Sequence, residues 1–242
     1  MICKRLEHGW EVITQRNHAL LSAEMLVDWK VENRPAPWSQ LLNACAQHDH
    51  GWMEEHLDPL LDEKGEPLDF LCLPFEVSLE IAGRNLRSAE AQSRWCAILV
   101  CRHIEYLFCG KDDQPARDSL AGLVRQRQAW MKELKVDSGR VEELYELLRW
   151  ADTFSLLVCC PPSDFTRSLE LVAQGVAYQA RGEGTEWTLS PWPYRCSELH
   201  LAYETRRLSQ DRFTHVEALR SALRGAPLTQ RELVVRPGPT VA

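Results

Sequence analysis

The sequence predicts a mainly α fold of the α+β kind: a helical bundle with a small antiparallel β-sheet formed from the N- and C-terminal segments. Two observations predict it. From about residue 15 to 180, apolar side chains recur at intervals of three and four in one stretch after another, which is the period of helices. Toward the ends, about 1–14 and 185–236, the period drops to two and turn residues separate short runs. A single domain, 1–242, is the expected organisation.

The elements follow in order. Residues 2–6 and 10–14 read as two strands joined through Glu7-His8-Gly9. From Gln15 a helix runs to about Trp29, with His18, Leu21, Ser22, Met25 and Leu26 on one side. Arg34-Pro35-Ala36-Pro37 breaks the chain, and a second helix carries Leu41, Leu42 and Cys45 inward before Gly51 stops it. Residues 52–73 are acidic and turn-rich, a connection long enough to be a lid or binding loop. Further helices are expected at about 74–88, 90–109, 115–134 and 139–160, the last ended by Pro161-Pro162, with another over 163–181. Beyond Gly182, Trp187-Thr188-Leu189 and Leu199–Thr205 read as strands. Thr214 and Glu217 form a capping box for a short helix ending at Gly225, and Glu232–Val235 is a final strand.

Composition narrows the function. Hydrophobic residues are 45% and charged residues 26%, so neither a disordered chain nor a coiled coil is the main state. A net charge of −7 argues against nucleic acid or an anionic membrane as partner. The first eight residues lack the apolar core of a signal peptide, and the longest apolar runs, near Cys96–Cys101 and Phe154–Cys160, are too short to span a bilayer. A soluble, cytoplasmic protein is the expectation. Nine cysteines without a CxxC spacing read as reduced core thiols, not a zinc site. Neither GxxxxGK[ST] nor a Rossmann glycine pattern occurs, which counts against NTP motors and dinucleotide enzymes.

The chemistry lies in ionisable side chains on apolar helix faces. His18 shares its face with Leu21, Ser22 and Met25, and His48 follows Leu41, Ala44 and Cys45 with Asp49 beside it. His103 sits among Leu99, Val100, Tyr106 and Leu107; Asp152 lies among Tyr145, Leu148, Ser155 and Leu156. Each is expected to point into the bundle. A buried carboxylate costs several kcal/mol unless it is paired or binds a cation. Imidazoles and carboxylates delivered by four helices to one point are a route to a metal centre. Taken singly, each His is more simply a hydrogen-bonded core histidine, and Asp49 a residue near a helix cap. The set is what shifts the reading.

His18, His48-Asp49 and Asp152 resemble the H…HD…D signature of the HD-domain superfamily of metal-dependent phosphohydrolases, and Gly51 follows the HD pair as it does at that superfamily's helix end. The chain as a whole resembles a bacterial family known as domain of unknown function 3891. Gln15–Leu21, Gln47–Trp52, Leu68–Leu71 with Leu73-Pro74, and Trp150-Ala151-Asp152 carry that likeness. The superfamily resemblance implies an HD-like helical body with His18, His48, Asp49 and Asp152 as metal ligands. It also implies a divalent cofactor: iron, manganese, magnesium or zinc. Only His103 stands where two-metal members have extra histidines, and Trp52 occupies the position that often holds a phosphate-binding lysine.

The expected function is a metal-dependent hydrolase acting on a small phosphorylated or nucleotide-like molecule, with Asp49 and His103 catalytic. Trp52 and Arg102 are candidate substrate contacts, with Arg84, Arg87 and Arg94 further candidates at a pocket mouth. An iron oxygenase on the same scaffold, or a non-catalytic regulatory protein with a relic site, are the alternatives. His50 and His56 are expected to be loop histidines, and Glu54, Glu55, Asp58, Asp62 and Glu63 a hydrated acidic surface.

Overall fold

The N-terminal hairpin pairs β1 (Ile2–Arg5) with β2 (Trp10–Ile13), Ile2 lying opposite Ile13. Gly9 closes its turn at φ +77°, and a Cβ there would meet the Leu208 carbonyl oxygen at 1.9 Å, so the turn needs glycine. The computed structural model describes residues 1–57, 59–110, 114–160 and 168–239. Asp58, Pro161-Pro162, residues 163–167 and the last three residues lie outside the described set.

Six helices follow. They are α1 (Gln15–Val27), α2 (Trp38–Gln47), α3 (Phe75–Gln92), α4 (Arg94–Leu107), α5 (Gln114–Leu134) and α6 (Ser138–Cys159). Local chemistry sets several of their starts. The Thr14 hydroxyl accepts from Asn17 N ahead of α1, Ser93 from Cys96 N ahead of α4, and Asp137 from Arg140 N ahead of α6. Each satisfies a backbone donor that the helix cannot.

The expected helix over 163–181 does not exist among the described residues. In its place stand β3 (Ser168–Ala173) and β4 (Val176–Glu183). Leu171 and Ala173 are buried while Glu170 before them and Val172 between them are exposed, a period of two that helix-forming Leu, Glu and Ala disguise. Gln174 and Gly175 both have positive φ, 53° and 72°, as a two-residue primed hairpin turn requires. β5 (Glu186–Ser190), β6 (Leu199–Leu208), α7 (Val216–Gly225) and β7 (Leu228–Pro237) complete the chain. His215, not Thr214, caps α7: its side chain accepts from Ala218 N.

The fold is therefore α+β, and a helical bundle with a small terminal sheet is the wrong description. Seven strands form one mixed sheet in the order β1-β2-β6-β7-β5-β4-β3. Its members come from both chain ends and from the middle, and β5 pairs with β7 in parallel while the other neighbours are antiparallel. Nor is the sheet peripheral. Tyr178 and Trp187 from its inner face stack on Trp29, Trp150 and Phe154 from the helices, with ring centroids 5.6–6.0 Å apart. The sheet thus forms one wall of the core, holding α1 and α6 against it. Among the described residues no helix is long and apolar enough to cross a membrane.

Candidate metal centre

Four helical segments bring their ionisable groups to one interior point. α1 delivers His18, the end of α2 delivers His48 and Asp49, α4 delivers His103 and α6 delivers Asp152. All five are buried. His18 Nε2 lies 2.9 Å from Asp152 Oδ1, and His48 Nε2 lies 3.3 Å from the same oxygen and 3.6 Å from Asp49 Oδ2. His103 Nε2 is 4.0 Å from Asp152 Oδ2. One potential ligand atom each from His18, His48 and Asp49 falls within 4.8 Å of the others, as does one each from His48, His103 and Asp152.

The far side of each ring is anchored. His48 Nδ1 lies 2.7 Å from the Cys45 carbonyl oxygen, which can only accept, so Nδ1 carries the hydrogen and Nε2 faces the carboxylates. His18 Nδ1 is 2.6 Å from Ser155 Oγ, and that hydroxyl in turn donates to the Asp152 carbonyl at 2.9 Å. His18 Nε2 on the other side of the ring faces Asp152 Oδ1. His103 Nδ1 has the Tyr145 hydroxyl 3.5 Å away. Lone pairs turned toward carboxylate oxygens repel unless a cation, proton or metal, lies between them.

Those residues fit a divalent ion. Two ligand atoms each about 2.1 Å from an ion are about 3.0 Å apart at a right angle and about 3.4 Å apart at the tetrahedral angle. Of the separations, 3.3 Å falls between those values, while 2.9 and 3.6 Å lie just below and just above them. The buried His48 Nε2 has no hydrogen-bond partner among the described residues, and buried imidazole nitrogens ordinarily have one.

Electrostatics follow from the same packing. Burial opposes charge on His48, but the carboxylates of Asp49 and Asp152 outweigh it and lift its pKa to about 9. Burial likewise opposes charge on Asp152, yet its contacts with His18 and His48 hold the carboxyl well below the usual range. His103 goes the other way: burial dominates and pushes it down to about 4, so it is neutral near pH 7.

A cavity of about 360 Å³ opens beside Asp49, between α3, α4 and the 52–73 connection. Trp52 lines it with Phe70, Phe75, Ile81, Ile104 and Phe108, and Asp49, Ser78 and Asn85 are its polar groups. A somewhat larger groove of about 430 Å³, between α3, α4 and α5, does not reach the ionisable cluster.

The other sequence candidates lie elsewhere. Arg102 makes a two-pronged contact with Glu142, at 2.7 and 3.0 Å, and stacks over Tyr145; it does not line the cavity. Arg84 donates to the Gly51 carbonyl, Arg94 pairs with Glu90 and Glu133, and Arg87 lines only the larger groove. His50 and His56 are in neither ligand group. Glu54 is not part of a hydrated surface: it is buried and accepts from Gln15 N at the start of α1.

Sequence reasoning missed Asn85. Its side-chain oxygen accepts from Gly51 N at 2.6 Å and its amide donates to Asp49 Oδ1 at 3.4 Å. The signal was present, since Asn85 interrupts an apolar face made by Ile81, Ala82 and Ala89. Gly51 permits this contact, because a Cβ there would come within 2.4 Å of Asn85 N.

A family model described as "Protein of unknown function (DUF3891)" matches residues 1–210. No curated protein and no solved structure matches the chain.

Proposed function

The chain belongs to the DUF3891 family of proteins of unknown function, and from its site we propose a metal-dependent hydrolase of HD type that acts on a small molecule, a phosphoester being the first class to test. The observation that carries this reading is the convergence of three imidazoles and two carboxylates from four helical segments, with the outward nitrogens of His18 and His48 anchored and their inward ones facing carboxylate oxygens. The order of the ligands along the chain, His18, then His48-Asp49, then Asp152, supports the HD-type assignment.

His18, His48, Asp49 and Asp152 would hold the ion. A divalent metal there supplies Lewis acidity and makes water nucleophilic near neutral pH. Asp49 is the ligand that also faces the cavity, so it is placed to orient water and accept its proton. Asn85 fixes the Asp49 carboxylate by its amide. His103, neutral through burial, suits a ligand nitrogen or proton acceptor better than a proton donor. Trp52 and the phenylalanines would give the substrate side an apolar surface. None of the described lining residues is Lys or Arg, so a phosphoryl group would depend on the ion for charge compensation.

Elemental analysis followed by a screen of small phosphoesters tests the reading. One ion per chain and turnover abolished by His48→Ala are expected. Protein that holds no stoichiometric metal, and whose melting temperature added metal leaves unchanged, overturns it. A bound ion without turnover of any substrate leaves a binding or regulatory protein. The third imidazole and the apolar cavity favour a second reading, an iron-dependent oxygenase. An iron-loaded sample with no oxygen-sensitive spectrum removes that one.

A further inference from the structure

The cavity beside Asp49 is largely apolar. Phe70, Leu71, Leu73, Phe75, Ile81 and Phe108 are among its walls, and the polar groups are Asp49, Asn85 and Ser78. Two residues that line it remain unusually exposed for leucine, Leu71 at 76% and Leu107 at 51%. Ala82 of α3 and Ile104 of α4 line this cavity and also the 430 Å³ groove beyond, whose other walls include Leu79, Leu86, Leu123 and Trp130. Ala82 and Ile104 therefore form a wall common to the two spaces, the second of which also carries Arg87, Glu90 and Gln126.

We infer that the substrate is an amphiphile: a small polar head seated at Asp49 and a straight apolar chain that fills the first cavity, then crosses at Ala82 and Ile104 into the groove toward Trp130. The inference rests on the reading of the Asp49 end as the reactive site. Three observations favour an alkyl or acyl chain over a nucleotide. The described lining beside Asp49 has no cation to meet several phosphates, most of its residues are apolar, and the two spaces share a wall. Enclosed apolar pockets with a few convergent polar groups are how proteins take such ligands.

A homologous series of straight-chain alkyl phosphates, from four to twelve carbons and kept below micelle formation, tests it on the protein as purified. Isothermal titration calorimetry reads Kd, and phosphate release reads turnover in parallel. Affinity should rise about 3–4-fold per added methylene until the space is filled. Ala82→Trp should halt the gain at a shorter length. Leu86→Glu, a change on the half-buried wall of the far groove, should weaken only the long chains. It also keeps the test open if Ala82→Trp does not fold. Affinity independent of chain length, or length dependence that neither variant alters, overturns the inference. Length-dependent binding without phosphate release sinks the hydrolase reading and leaves the amphiphile standing, whereas release without length dependence does the reverse.

Discussion

Helix α6 takes part in two very different interiors. Trp150 and Phe154 pack against the sheet, in a layer with Trp29, Tyr178 and Trp187. Asp152 and Ser155, on the same helix, face His18, His48 and Ser22. The first region is dry aromatic packing, which stabilises by burying area. The second buries charge, and buried ion pairs are weak sources of stability because desolvation consumes most of the attraction. A protein selected only for folding would do as well with leucines there. The contrast separates a half of the core that stabilises the fold by burying area from a half whose buried charge contributes little to stability.

The comparison breaks first at Trp150. Trp150→Ala should cost about 3–5 kcal/mol in urea unfolding, through lost contacts and the cavity left behind. Metal stoichiometry per folded chain should not change, since the ring packs against Trp29, Phe154 and Tyr178 on the sheet side of the helix. A large loss of metal in the folded variant would show that the two regions are not separable.

Asp152→Asn should do the opposite. The shape is kept, but the carboxylate shared by His18 and His48 is gone. For the wild type, free metal at 1,000 times Kd should add about 4 kcal/mol to stability. In Asp152→Asn that increment should vanish, as read from melting temperature with and without metal. A variant that still gains stability from metal would put the ion somewhere else. Between these effects lies Gly51→Ala, expected to cost about 1–3 kcal/mol by driving the end of α2 off α3 at Asn85.

The two regions also differ in how legible they were from sequence. His18, His48, Asp49 and Asp152 stood out because an ionisable group on an apolar helical face is locally visible. Asn85 had the same signal but lacks charge, and Glu54 was hidden in an acidic run that looked solvated. The aromatic layer was much less legible. Its helical half follows from periodicity, but its other half depends on β3 and β4, whose Leu, Glu and Ala favour helix when read locally. Strand pairing between residues far apart, such as Trp187 with Val235, leaves no periodic trace along the chain. Helix faces are local facts, whereas sheets are decided by partners. That is why the buried ionisable residues could be named one by one while the wall behind them was misread as a minor attachment.

Ser155 gives the finest division between scaffold and chemistry. Its hydroxyl touches no carboxylate; it holds His18 Nδ1 and the Asp152 carbonyl, and meets Ser22 at 2.8 Å. Removing it leaves every ligand atom in the chain but frees the His18 ring to change tautomer and tilt. Ser155→Ala should therefore cost only about 1 kcal/mol of metal-free stability, the worth of a typical hydrogen bond. Metal affinity should fall by about 10–100-fold, the range for partners that orient a ligating histidine. Titrating metal against a competing chelator measures the second quantity and urea unfolding the first. If affinity drops no more than stability does, Ser155 is packing alone and the anchoring of His18 has no bearing on the ion.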